Sequence, residues 1–290
     1  MKKKLTLWMV VLSLFSFMNA CSFLDRGDCD FKLTENEPFS LQSLSFKGDI
    51  ANVVVTSYES GDPNVKTRVS TFVFNSSGYV TEQREEDLVN GECCYMKLSY
   101  NKDGSIKSLK TQMNDGDVDL NYTYDKKKRT RECRASANGQ EVVSEMVWYD
   151  QNGYPSKIIS NTNPDKYWAY NYDATGKMLS KSSYLNDGSG TMLLNYIHSE
   201  FVGDKWTKEI AQDDAGNSYL TVTCRYNEHE DLVEESSQTQ VPGTGTSVKS
   251  KIKINYVYDN TGNWTEMTQT STINNEKPFV IRRTQNITYR

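Results

Sequence analysis

Histidine is nearly missing from this 290-residue chain: His198 and His229 are the two, and neither has a companion His or Cys at ligand spacing. Catalytic zinc needs three convergent protein ligands, so no metal site is expected. There is no Gly-x-Ser-x-Gly elbow, no phosphate-binding Gly-rich loop and no His-Glu-x-x-His stretch. Carboxylates are plentiful, as in Glu85-Glu86-Asp87 and Glu234-Glu235. Nothing separates a facing pair of the kind glycoside hydrolysis requires from ordinary solvated acids. Asp213-Asp214 and Asp115-Gly116-Asp117 could sit near calcium in a turn, but the ligand spacing of a calcium loop is absent. These absences argue against an enzyme and against a cofactor.

Apolar residues are also scarce, at 37% of the chain against the ~45–50% of ordinary domains. Sheets wet on one face, or a thin core, would account for the deficit. Basic clusters are limited to Lys126-Lys127-Lys128-Arg129, which falls in a turn, so no nucleic-acid surface is expected. No segment shows a sustained helical period. Of six cysteines, Cys21 stands apart; Cys29, Cys93, Cys94, Cys133 and Cys224 are odd in number and irregular in spacing, which is no disulfide framework. Cys93 and Cys94 are neighbours in a strand and point to opposite faces, so they do not share a simple site. Free thiols or one opportunistic bridge both remain open.

What is present begins with a leader. Lys2, Lys3 and Lys4 precede an apolar stretch from Leu5 to Met18, too short for a membrane span of about 20 residues, and small Ala20 follows. Residues 1–20 read as a secretory signal. The sequence Met18-Asn19-Ala20-Cys21 resembles the lipobox of bacterial lipoproteins, although Met18 and Asn19 depart from its usual residues. The resemblance implies acylation of Cys21, a lipid-anchored tether over residues 21–37 and a place in the cell envelope, most naturally at the outer membrane. Cleavage would take three lysines and no acid from a chain of net charge −5, leaving a mildly acidic surface.

Residues 38–290 read as one repetitive domain. An aromatic residue followed by Asn or Asp recurs as Phe74-Asn75, Tyr100-Asn101, Tyr124-Asp125, Tyr149-Asp150, Tyr172-Asp173, Tyr226-Asn227 and Tyr258-Asp259. Phe46 to Asp49 and Phe201-Val202 are decayed copies of this tag. Gly stands three residues after the Asn or Asp in five tags, at Gly78, Gly104, Gly153, Gly176 and Gly262. A fixed period means one supersecondary unit used repeatedly. A second series of turn signals, among them Asn90-Gly91, Asn138-Gly139 and Asn186-Asp187-Gly188, falls between the tags. Nine tags and nine intervening turns predict about 19 strands. In each tag the Asn or Asp side chain starts a type I turn and Gly takes the left-handed conformation that returns the chain. Counting back in twos from Tyr258 gives Tyr256, Ile254 and Ile252, while the alternate positions are Lys253 and Asn255. One face is therefore apolar and the other wet.

Tyr258-Asp259-Asn260-Thr261-Gly262-Asn263-Trp264-Thr265 resembles the YD repeat of RHS-type bacterial proteins, and Tyr149 to Gly153 and Tyr172 to Gly176 match nearly as well. The combination also resembles the short lipoproteins with YD-like repeats found in Bacteroides-type bacteria. The resemblance implies a long curved antiparallel meander, rolled into a half-pipe or open barrel, with a fully closed barrel ranking second. An outer-membrane barrel is disfavoured because the outgoing strands are polar where lipid would need an apolar band. The leading functional expectation is a non-enzymatic envelope lipoprotein with an interaction or scaffolding role. The alternative is a glycan-binding surface lipoprotein, in which Trp148, Trp168 and Trp206 would supply a stacking surface, although core packing of the aromatics is the simpler reading.

Overall fold

The computed structural model describes residues 44, 46–60, 62–102, 105–113, 116–137, 140–160, 163–186, 188–203, 205–241, 245–274 and 276–290. The leader, Cys21 and Cys29 lie outside them. Eighteen strands make up the described chain: β1 (Ile50–Glu59), β2 (Asp62–Phe74), β3 (Val80–Asp87), β4 (Glu92–Tyr100), β5 (Ile106–Met113) and β6 (Gly116–Asp125). They continue as β7 (Thr130–Ala137), β8 (Gln140–Tyr149), β9 (Pro155–Ser160), β10 (Asn163–Tyr172), β11 (Met178–Asn186) and β12 (Thr191–Val202). The last are β13 (Lys205–Asp213), β14 (Ser218–Tyr226), β15 (Leu232–Gln240), β16 (Ser247–Tyr258), β17 (Trp264–Ile273) and β18 (Phe279–Tyr289).

Each strand pairs antiparallel with the next, and β18 pairs back onto β1. The sheet is thus a single closed barrel. This corrects the expectation of an open half-pipe of about 19 strands, and with it the expected kinship to the RHS-type YD-repeat meander. Those proteins lend this chain the look of a hairpin tip and nothing larger. Closure leaves no exposed sheet edge, which an open meander of this length would have to protect by other means.

The hairpin tips follow the sequence reading closely. Asp150 Oδ1 accepts the amides of Asn152 at 2.8 Å and Tyr154 at 2.9 Å, while Gly153 N donates to Asp150 O at 3.2 Å and takes φ of 83°. Where Gly is replaced, other residues take the left-handed conformation: Glu230 with φ of 71° and, one position later in its turn, Arg129 with φ of 52°. Asp213 and Gly216 build the same tip without a preceding aromatic, at the opposite end of the barrel.

One feature of the tips escapes sequence pattern. In seven hairpins the register shifts by a residue just before the tag aromatic, so that Phe74 pairs with Val80, Tyr100 with Ile106 and Tyr149 with Pro155. The same holds for Tyr172 with Met178, Phe201 with Trp206, Tyr226 with Leu232 and Tyr258 with Trp264. Each shift is a β-bulge that bends its strand and raises its twist. Repeated at one end of the sheet, the bend curls it until the first strand meets the last.

The inner wall carries the apolar set. Val53, Val80, Val147 and Met267 are essentially inaccessible, and Phe72, Phe74, Met96, Leu98, Leu109 and Ile254 are buried beside them. Leu44 and Phe46 reach into this cluster from the segment before β1 and close the tag end, where the Phe46 and Phe74 rings meet edge-on at 6.0 Å. Buried Asn263 pins that segment: its Oδ1 accepts Lys47 N and its Nδ2 donates to Lys47 O, both at 2.8 Å. The tag tyrosines also face inward but are half-buried, whereas Phe74 is fully buried.

The outer wall is ionic. Cross-strand pairs there include Lys208 with Glu200 at 2.8 Å, Lys251 with Glu234 at 3.1 Å, Arg282 with Glu266 at 3.2 Å and Lys110 with Asp119 at 3.7 Å. Exposed pairs of this kind contribute little to stability, yet they keep the wall wetted.

Two glycines separate backbone strain from crowding. Gly176 and Gly216 have φ of 89° and 83°; a Cβ at Gly176 would overlap the Tyr154 hydroxyl, while at Gly216 it would meet open space. Gly216→Ala is expected to cost about 1 kcal/mol, from left-handed strain alone. Gly176→Ala adds a steric conflict of roughly 1–3 kcal/mol. Urea denaturation of the two variants measures the difference, and equal losses would mean that Tyr154 does not pack over this tip.

Candidate functional site

The feature with the dimensions of a ligand site lies inside the barrel, at the end opposite the tags. It is a cavity of about 520 Å³ enclosed by β1, β2, β3, β17 and β18. Small-molecule pockets commonly span ~300–1,000 Å³. Strand register arranges its wall in rows, because residues directly opposite across strands share a face. The outermost row runs Arg283, Ser57, Arg68, Asp87; the next runs Val55, Ser70, Glu85; the deepest pairs Phe72 with Gln83. The wall therefore grades from charged at the mouth to mostly apolar at the floor, where Trp264 also lines the space. Phe279 and Val89 line the rim and are 54% and 70% exposed, an apolar lip around a charged mouth.

The charges are unequally engaged. Arg68 reaches Glu85 at 3.1 Å and Asp87 at 3.5 Å. Asp87 is further held by the β3–β4 turn, where its Oδ1 accepts Val89 N at 2.9 Å and Asn90 N at 3.0 Å. Those bonds, the amide of Asn90 foremost, lower its pKa below the usual carboxylate value. Glu85 moves the other way, since burial outweighs the attraction of Arg68 and raises its pKa. Arg283 is lowered, first by burial and then by the like charge of Arg68. Small Ser57 lies between the two arginines in the row, leaving room above it.

A second internal polar group lies on β7 and β8. Arg131, almost fully buried, bridges to Glu145 at 3.0 Å, and its guanidinium lies 5.4 Å from the Tyr122 ring. Cys94, Cys133 and Cys224 line the same inner wall, and none of the four described cysteines is in a disulfide. Burial pushes the thiols of Cys94 and Cys133 up to about 11, so they are poor nucleophiles at neutral pH. Among the described residues, no group of three or more His, Cys, Asp or Glu could hold a metal ion. His198 and His229 are far apart in the barrel, on β12 and in the β14–β15 turn, where His229 stacks on Tyr258 at 3.9 Å.

The three tryptophans weighed as a stacking surface are not brought together. Trp168 shares the inner face with Val147 through their common neighbour Ile158. Trp148 follows Val147 directly and so faces out. Trp206 is buried inside against Phe201 and Val222. Outside, Trp148 has instead Lys157 at 5.7 Å, and the Lys157 ammonium lies 4.3 Å from Tyr167, which stacks on Tyr184 at 5.0 Å. Tyr167 and Tyr184 thus cover a face of each other, and Lys157 lies over Trp148. The residues that do form the cavity, Arg68, Glu85 and Arg283, carry no motif. The acidic run Glu85-Glu86-Asp87 straddles the wall: Glu85 and Asp87 look in, while Glu86 pairs outside with Arg84 at 2.6 Å.

No protein-family model matches the chain, and no curated protein sequence matches it. Among solved structures it is similar to a porin-like protein from Bacteroides uniformis, with a TM-score of 0.47 and 10% identity, covering 83% of this chain and 99% of that one. A Bacteroides fragilis protein provisionally designated an outer membrane protein aligns with a TM-score of 0.13 and 11% identity, covering 82% of this chain and 97% of that one. The closed barrel rests on its own strand pairing.

Glu85 gives this site a pH signature. Its pKa in the folded chain is raised, so the native state holds the proton more tightly than the unfolded chain does. Stability from this group is therefore present below the reference value of 4.5 and lost as the pH rises through the folded pKa. Glu85→Gln should be more stable than the parent chain at pH 8, with the gap closing toward pH 4.5. Urea midpoints measured across that range check it; a variant less stable at pH 8 would mean that the Arg68 contact outweighs burial.

Proposed function

We propose that the chain is a non-enzymatic β-barrel of the cell envelope, tethered through acylated Cys21 and standing in water, with its interior as the binding surface. The observation that carries this reading is the distribution of polarity across the wall. Lysines, arginines and acids pair on the outside, and the apolar side chains are gathered within. A barrel embedded in lipid needs the reverse, an outward apolar band about 25 Å tall. The basic and apolar leader ending in Ala20-Cys21 supports export and a lipid tether. More than one acyl chain, as lipoproteins carry, gives stable attachment.

Leu44 and Phe46 close the tag end and the cavity opens at the other, so a tether joined ahead of Leu44 would enter at the tag end. The binding surface would then be turned outward from its anchor. The alternative of a glycan platform is less favoured, because Trp148, Trp168 and Trp206 do not share one face of the wall.

Fractionation of cells expressing Cys21→Ala tests the tether. The variant is expected in the soluble fraction, folded without detergent and lacking acyl chains by mass spectrometry, while the parent chain sediments with membranes. A Cys21→Ala chain that resists carbonate extraction would place the barrel itself in the bilayer and defeat the proposal.

A further inference from the structure

We propose that the outer wall over β8–β12 rests on the membrane that holds the anchor, with a strip of aromatic side chains seated among the lipid headgroups. This rests on the reading of a tethered barrel that stands outside the bilayer, and adds the surface with which it meets lipid.

The strip follows from register, since residues directly opposite across strands share a face. Outward Trp148 heads a row that continues through Lys157, Ala169, Ser182 and Tyr196, from β8 to β12. The neighbouring outer row crosses the same five strands as Met146, Ile159, Tyr167, Tyr184 and Leu193. All of these except Ser182 are partly exposed. The ionic pairs found elsewhere on the outer wall give way here to aromatic and aliphatic side chains, one ammonium and no acid. Carboxylates return at the border: Glu132, in register with Met146, is held by Arg134 at 2.6 Å, and Asp165 is exposed near the start of β10.

This composition suits the boundary of a bilayer. Trp and Tyr concentrate there because an apolar ring carries a polar tip that stays wet. The Lys157 ammonium lies 4.3 Å from the Tyr167 ring and 5.7 Å from that of Trp148, so its stem covers apolar surface while its head can reach a phosphate. On a chain of net charge −5, a strip without acids lets an anionic membrane approach with no carboxylate set against its phosphates. Size argues against a second copy. Five strands ~4.8 Å apart and two rows deep present roughly 300 Å², well short of the ~800 Å² per partner of a stable protein interface. A membrane contact has no such threshold once an anchor keeps the chain at the surface. The tether reaches: the stretch from Cys21 to Leu44 can span at most ~80 Å, against ~33 Å for the 10 residues of β10.

Sedimentation with vesicles tests this. The exported chain, residues 21–290, carries Cys21→Ala so that no acyl chain contributes, and the vesicles are phosphatidylethanolamine with about one quarter phosphatidylglycerol. Without its anchor the contact is weak and is lost on the dilution of cell fractionation, so lipid is held at millimolar concentration. The chain is expected to sediment with the vesicles and to be released by carbonate. Brominated acyl chains should quench Trp148, read as the difference from Trp148→Phe. Tyr184→Glu should lower the partition coefficient by at least about tenfold. Asn255→Glu, which adds the same charge at an exposed site on β16, should change it by less than about twofold.

A chain that stays in the supernatant overturns this proposal alone. Bound chain that carbonate cannot release would show the barrel embedded in lipid, and overturns the reading of a barrel in water as well. Equal partition of Tyr184→Glu and Asn255→Glu, or an unquenched Trp148, would put the contact on another face and overturn the strip. A dimer in lipid-free sedimentation that Tyr184→Glu dissociates would assign the strip to a second copy instead. Should Tyr184→Glu fail to fold, quenching of Trp148 in the parent chain decides.

Discussion

The contact between β1 and β18 runs from Ile50 opposite Tyr289 to Tyr58 opposite Arg282, and the Tyr58 hydroxyl meets Thr284 at 3.2 Å, 226 residues away along the chain. Everything else in the molecule presupposes it. With that seam made, the inner face is enclosed, Val53 and Met267 leave water, and the cavity gains its fourth and fifth walls. Loop-closure entropy for so distant a contact grows only slowly with length, by about 0.6 kcal/mol per doubling. A continuous ladder of backbone bonds can offset that cost once neighbouring hairpins hold the sheet in a curve.

The curve comes from the tags. A bulge before each of seven inward aromatics shortens one strand relative to its partner at the same end of the sheet, which accumulates bend in one sense. The Tyr124 hairpin lacks the shift, and its turn is longer, with Arg129 in the left-handed conformation instead of a glycine. Local tip chemistry and global closure are therefore linked through the bulge, which also occurs before Phe201 and Tyr226, where the turn has no Asp-x-x-Gly.

Much of this was legible in advance. The alternation around Ile252, Ile254 and Tyr256 gave the inward face, and Asp150 with Gly153 gave the tip down to its hydrogen bonds. Closure was not legible, because no residue of β1 signals β18 and a one-residue bulge leaves no mark on composition. The cavity was hidden for a related reason. Arg68, Glu85 and Arg283 occur in polar stretches that look solvated, and only the register reveals that alternate members of Glu85-Glu86-Asp87 face opposite sides of the wall. The same parity separates the tryptophans, sending Trp148 and Trp168 to opposite faces.

The polarity of the two faces makes this barrel the inverse of one dissolved in lipid, with its ionic ladder outside and its apolar cluster within. Such an arrangement holds only if the sheet is closed, since an open one would show Phe72, Met96 and Ile254 to water. Residue-resolved hydrogen exchange in β1 tests closure most directly. Alternate amides of this strand point to β2 and to β18, and both sets are predicted to exchange with the same slow rate. Fast exchange confined to the amides directed at β18, at rates near those of a free peptide, would show that the seam is open and that the barrel does not exist in solution.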